Sequence, residues 1–218
     1  MSRVTDVCRE IEAFGLVPVV RAPSAALAER AVHAVFEGGV RVFEITLTVP
    51  DALPLISKLA RQFTGRALIG AGTVLSAAQA GACIDAGARF VVSPGFDAAT
   101  VSLALARDVA VMPGALTPTE VIAAWQSGAP MVKIFPCSAL GGAKYLRALR
   151  GPLPDVKLMP TGGVNAATAA EYLAAGASAL GIGSELVDVA ALKAGRDSEL
   201  SERARELCDV VARAREAL

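Results

Sequence analysis

Histidine and tryptophan each occur once in the 218 residues, and none of the four cysteines forms a CxxC pair. The lone His33, inside AERAVHAVFEGG, excludes a zinc site built on several histidines. Cys8, Cys83, Cys137 and Cys208 lie far apart, the pattern of reduced thiols in a cytoplasmic protein rather than of a disulfide framework. Net charge is missing too. Lys+Arg and Asp+Glu are both 21, so no global field recruits nucleic acid or an anionic membrane. The longest uncharged run, Ala67 to Ile84, is broken by Gly70, Gly72, Thr73, Ser76 and Gln79 and reads as strand, turn and helix, not as a membrane span. MSRVTDVCREIEAFG is charged and periodic, without the basic-then-apolar order of a signal peptide.

What is plentiful is apolar residue and glycine: 54% hydrophobic, 20 glycines, mean hydropathy +0.51. Such a surplus fits a sheet buried on both faces, subunit contacts, or both. Short β-branched runs alternate with longer amphipathic ones, the signature of βα units around a parallel sheet. Strands are expected at Val17–Arg21, Val42–Leu47, Ala67–Gly70, Phe90–Ser93, Ala110–Met112, Met131–Phe135, Lys157–Pro160 and Ala179–Gly181. Helices are expected to open near Ser24, Pro50, Ser76, Asp97, Thr117, Gly142 and Ala166, with a last helical region over Val189 to Arg215. Arg3–Phe14 reads as an additional helix. The expectation is an α/β protein, one (β/α)8 TIM barrel over residues 1–218, with residues 1–16 a helix capping it. A barrel of about 250 residues is typical, so the connections here must be short.

An internal repeat supports that count. EGGVRVFEIT, DAGARFVVSP, QSGAPMVKIF and AAGASALGIG each join a glycine helix cap to an apolar strand, with Gly39, Gly87, Gly128 and Gly176 aligned. Five residues after each glycine come Glu44, Val92, Lys133 and Gly181. Barrel interiors are layered, each layer drawn from alternate strands. Glu44 and Lys133 therefore share a layer near the strands' C-terminal ends, where barrel active sites form. A buried Lys and Glu are costly unless paired or functional. They are either a structural ion pair or the reacting couple.

A lysine that attacks a ketone must be neutral, and desolvation and a neighbouring cation both favour the neutral amine. Lys133 in PMVKIFP meets the first condition, and Arg21 at the end of LVPVVR could meet the second. Lys157 in VKLMP is the rival, but it follows Asp155 directly into its strand and so falls at the N-terminal rim. Glu44 could move the protons that a carbon–carbon cleavage requires. PTGGVN and GIGSELV, after the last two strands, place Gly162, Gly163, Gly183 and Ser184 where barrels commonly hold a phosphate, beside a short helix N-terminus. Thr73 in GAGTVLS and Pro94 in SPGF line the mouth.

EITLTVPDAL, GAGTVL, VVSPGF, VMPGALTPTE, VKIFP and PTGGVN, in this order, resemble the 2-keto-3-deoxy-6-phosphogluconate (KDPG) aldolase family from about Val17 to Leu186. The resemblance implies a class I (Schiff-base) aldolase that cleaves this phosphorylated 2-keto acid to pyruvate and glyceraldehyde 3-phosphate. It makes Lys133 the Schiff-base lysine and Glu44 the proton-transfer carboxylate. It puts Thr73, Pro94 and Phe135 around the pyruvyl part, and Thr161, Gly162, Gly163, Gly183 and Ser184 near the phosphate. It implies a homotrimer with no metal and no cofactor.

One position departs from the pattern. Many members carry Arg four residues after the glutamate, against the substrate carboxylate, where this chain has Thr48; Arg21 is the substitute. The C4 epimer, 2-keto-3-deoxy-6-phosphogalactonate, and 4-hydroxy-2-oxoglutarate are thus alternative substrates. A phosphate-binding barrel of other chemistry, such as an isomerase or thiamine-phosphate synthase, keeps the glycine turns but has no use for Lys133 opposite Glu44. A sugar-phosphate sensor keeps the cradle and treats that pair as structural. A Mg-dependent pyruvate aldolase needs more inward carboxylates than Glu44 alone.

Overall fold

Side chains that alternate between two buried surfaces, rather than between core and water, set the architecture. The computed structural model describes residues 2–217; Met1 and Leu218, the ends of the expected domain, lie outside the described residues. A helix, α1 (Arg3–Phe14), stops at Gly15, whose left-handed backbone (φ 81) turns its N–H onto the Ile11 carbonyl. Strands and helices then alternate: β1 (Leu16–Val20), α2 (Ala25–Glu37), β2 (Val42–Thr46), α3 (Ala52–Gln62), β3 (Leu68–Gly72), α4 (Ala77–Asp85), β4 (Phe90–Val92) and α5 (Ala98–Ala106). There follow β5 (Ala110–Met112), β6 (Gly114–Ala115), α6 (Pro118–Gln126), β7 (Val132–Ile134), α7 (Ala143–Arg150), β8 (Leu158–Pro160), α8 (Ala169–Ala174), β9 (Leu180–Ile182), α9 (Val189–Lys193) and α10 (Asp197–Glu216). Ser24, Ser76, Asp97 and Thr117 cap their helices by accepting a backbone N–H three residues on, and Thr117 with Glu120 completes a capping box.

The strands pair in parallel in two sheets, β5-β4-β3-β2-β1-β9 and β6-β7-β8. The expected fifth strand forms as β5, and a further short strand, β6, follows Pro113, which has no N–H to donate and whose carbonyl accepts from Lys133. At the other seam the Thr161–Gly181 bridge and the Ser178 N–H donated to Leu158 set β8 against β9. The result is a TIM-barrel-like α/β fold. No helix among the described residues is long and apolar enough to cross a membrane.

Two cores follow from the alternation. Phe43 and Ile45 of β2 pack outward against helices, while Val42, Glu44 and Thr46 face the other way. Inside, Val17, Val42, Leu68, Phe90, Met131 and Ala179 join Val7, Cys8 and Ile11 of α1 in one apolar cluster. Burying Val7 and Ile11 contributes about 1.5–3 kcal/mol each. The half-exposed Lys157–Glu12 ion pair at the same junction, at 2.5 Å, adds at most about 1 kcal/mol. Packing, not charge, holds α1.

Candidate active site

The inward face of β2 carries Val42, then Glu44, then Thr46, and beyond the strand end Thr48, so one strand runs from apolar core to polar mouth. Glu44 meets Lys133 of β7 across the interior, Nζ to Oε1 3.8 Å, both side chains almost completely buried. Among the described residues, neither Glu44 oxygen has a hydrogen-bond donor and the buried Thr161 hydroxyl has no partner. Burial pushes the Glu44 carboxyl above its ordinary range, and attraction from Lys133 and then Arg21 offsets this only in part. The Lys133 ammonium position lies 5.2 Å from the centre of the Phe135 ring. Lys157 lies at the opposite end of the adjoining strand, bound to Glu12 of α1.

The space for the pair comes from missing side chains. A Cβ at Gly72 would overlap the Glu44 carboxyl, and one at Gly181 would overlap the Thr161 hydroxyl. Above the pair opens a cavity of about 700 Å³ lined by Arg21, Thr73, Pro94, Lys133, Phe135, Thr161, Gly162, Gly163, Gly183 and Ser184. Every expected site residue except Glu44 faces this one space, and Glu44 reaches it through Lys133. Thr73 holds a left-handed backbone (φ 57), a strain of about 1–3 kcal/mol for such a residue that tends to persist at functional sites.

At the far side of the cavity Gly162 (φ 92) and Gly163 (φ 76) turn the chain after β8. The Thr168 hydroxyl donates to the Gly163 carbonyl, and the Asn165 side chain accepts from Ala167 and Thr168. Leu186 and Val187 both donate to the Gly183 carbonyl. These turns leave the N–H groups of Gly162, Gly163, Ser184 and Glu185 without a backbone acceptor among the described residues. The expected helix N-terminus is not among the free donors: Asp188 already accepts from Ala190 and Ala191 of α9, and these bonds with Arg203 draw its carboxyl below the usual range. Glu185 and Asp188 also line the cavity and were not foreseen as lining residues, and Thr48, where the family resemblance puts the carboxylate contact, lines it too. For Thr48 the signal was legible, since it is the next inward position after Glu44 and Thr46. Among the described residues, no group of three or more His, Cys, Asp or Glu side chains is placed to hold a metal ion.

Comparison with known proteins agrees with this geometry. The model of the "KDPG and KHG aldolase" family matches residues 4–202. A probable 2-dehydro-3-deoxy-6-phosphogalactonate aldolase of Rhizobium meliloti is 38% identical over 172 residues, 78% of this chain and 81% of that one. The KHG/KDPG aldolase of Escherichia coli is 36% identical over 191 residues, 88% and 89% of the two chains. A Legionella pneumophila KDPG aldolase, solved with pyruvate captured as a covalent carbinolamine, superposes with a TM-score of 0.84 at 32% identity, covering 92% of this chain and 97% of that one. With a buried lysine and glutamate under a glycine-lined mouth, and with relatives across nearly its whole length, the chain belongs to the KDPG and KHG aldolase family.

Proposed function

We propose that this protein is a class I aldolase that cleaves 2-keto-3-deoxy-6-phosphogluconate to pyruvate and glyceraldehyde 3-phosphate, with Lys133 as the covalent residue and Glu44 as the proton-transfer group. The observation that carries the reading is the buried Lys133–Glu44 pair on the floor of the cavity. The neutral Lys133 amine adds to the C2 ketone, and the carbinolamine loses water to give an iminium. Glu44 takes the C4 hydroxyl proton, the C3–C4 bond breaks, and its electrons enter the iminium as an enamine. The protonated Glu44 then returns that proton to C3, and water releases pyruvate. The iminium is the electron sink, so the scheme uses no cofactor.

In this reading Arg21 and Thr73 hold the carboxylate, Pro94 and Phe135 flank the pyruvyl carbons, and Thr161 lies near the phosphate. The turns at Gly162, Gly163, Gly183 and Ser184 receive the phosphate. The fold is read as one closed (β/α)8 barrel capped by residues 1–16, supported by the strand pairings and by the apolar contacts of α1. The assembly is read as a cytoplasmic homotrimer, supported by exposed Leu75, Ile122, Trp125 and Leu140 and by four free cysteines. A solution mass of one chain would refute the trimer.

Borohydride reduction in the presence of pyruvate tests the mechanism. One reduced adduct is expected, on the peptide containing Lys133, unchanged by EDTA and lost in Lys133→Ala. An adduct on Lys157, or none, refutes the assignment. A second reading, the C4 epimer 2-keto-3-deoxy-6-phosphogalactonate, is favoured by the cation standing at Arg21 rather than at position 48, together with the name of the Rhizobium relative. The ratio of kcat/KM for the two epimers decides between them.

A further inference from the structure

Thr48 takes part in a short chain of hydroxyls whose direction can be worked out from proton count alone. The buried Thr46 hydroxyl lies 3.0 Å from the Val20 carbonyl, which can only accept, so Thr46 spends its one proton there. Thr46 and Thr48 are also bonded to each other, Oγ1 to Oγ1 2.8 Å. With the Thr46 proton committed, the donor in that second bond is Thr48. The Thr48 oxygen therefore presents lone pairs, and no proton, to the cavity it lines. Reversing the chain would withdraw a hydrogen bond from a carbonyl in the buried interior, which costs more than an exposed hydroxyl gains.

We infer that Thr48 is a specificity-determining residue, fixed by Thr46 as an acceptor that takes a hydrogen bond from a substrate hydroxyl and is closed to the carboxylate. A carboxylate brings only lone pairs, and two acceptors face to face repel; a hydroxyl of a hydroxylated 2-keto acid brings the proton that Thr48 lacks. The parallel register places Thr48 beside the strand end of β1, which carries Arg21, and beside the end of β3, which carries Thr73. Arg21 then receives the anion and Thr48 reads the neutral, donor-bearing part next to it. This inference rests on the aldolase reading and adds to it a contact that reads a substrate hydroxyl at Thr48.

The test compares a ligand with a hydroxyl and one without. Thr48→Val should lower kcat/KM for cleavage of the phosphorylated hydroxy-keto acid about three- to tenfold, the worth of one neutral hydrogen bond. Borohydride trapping of pyruvate, which has no hydroxyl, should proceed at the parent rate and half-saturation. Thr48→Ser should recover the cleavage efficiency, because it keeps the oxygen and its bond to Thr46. Thr46→Val frees the Thr48 proton, so pyruvate should bind more tightly in that variant while the hydroxyl preference shrinks. If Thr48→Val weakens pyruvate trapping as much as cleavage, or changes neither, the inference is overturned. If the unsubstituted protein is not trapped by pyruvate at all, the aldolase reading fails and this inference with it, which is a different result from the other two.

Discussion

Glu44 has a carboxyl with no hydrogen-bond partner on either oxygen among the described residues, in a position where the carboxylate form is disfavoured by burial more than it is helped by Lys133 and Arg21. Two measurements follow from that imbalance. Glu44→Gln should reduce turnover by roughly 10²–10⁴-fold, the usual worth of a general acid–base group, while pyruvate trapping is partly retained. It should also change stability in a pH-dependent way. The folded-state pKa is raised above the ordinary 4.5, so folding binds a proton in the window between the two values. The parent is then favoured below 4.5 and loses that contribution as pH rises through the folded pKa. Gln resembles the protonated form, so the variant should be the more stable of the two in urea at neutral pH and lose its advantage near pH 4. An equal difference at both pH values would mean packing rather than ionisation.

At the scale of single elements, β3 has the most specific sequence, because LIGAG gives up two side chains on its inward face. Gly70 makes room for the Phe90 ring and Gly72 for the Glu44 carboxyl. Gly72→Ala should displace Glu44 while leaving the outward Ile69 and Ala71 packing intact. Turnover should fall nearly as far as in Glu44→Gln with the circular dichroism of the parent; parent-like turnover would show that Glu44 has room to move. The same elements show which features the chain made legible. Helices opening at Ser24, Ser76, Asp97 and Thr117 could be read because the capping side chain and the apolar stripe sit close together in sequence. The helix expected from Pro50 begins at Ala52 because Asp51 adopts a left-handed backbone (φ 56). The one expected from Ala166 begins at Ala169, since Asn165 takes the first N–H groups into a turn. The equivalence of Glu44 and Lys133 was legible through the glycine repeat. The Thr46–Thr48 bond and the Lys157–Glu12 pair were not, because each depends on rotamers or on an approach between distant segments.

Taken as a whole, the molecule offers two kinds of anion contact in one cavity. Arg21 and Lys133 are the cations lining it among the described residues, while the glycine turns offer uncharged N–H groups next to Glu185. A carboxylate gains from a bidentate, charge-assisted contact, so it belongs with Arg21; a phosphate can be held by several converging N–H groups. Arg21→Ala should therefore weaken pyruvate and the phosphorylated substrate by a similar factor, with Arg21→Lys a poor substitute. Ser184→Ala should weaken only ligands that carry the phosphate. Half-saturation values for phosphorylated and unphosphorylated 2-keto acids check both, and the opposite pattern would exchange the two ends.

The apolar contacts of Val7, Cys8 and Ile11 with the first residues of the strands have an effect well beyond α1 itself. In the proposed barrel they fill the interior at that end, which leaves the mouth lined by Thr73 and the glycine turns as the route to Lys133. On the proposed mechanism the phosphorylated aldehyde fragment is free once the C3–C4 bond breaks, while the three-carbon remnant stays tethered to Lys133. On the same mechanism, the water that frees the remnant comes in by that mouth. The covalent tether thus sets the order of departure, and the filled floor sends both departures through the same mouth.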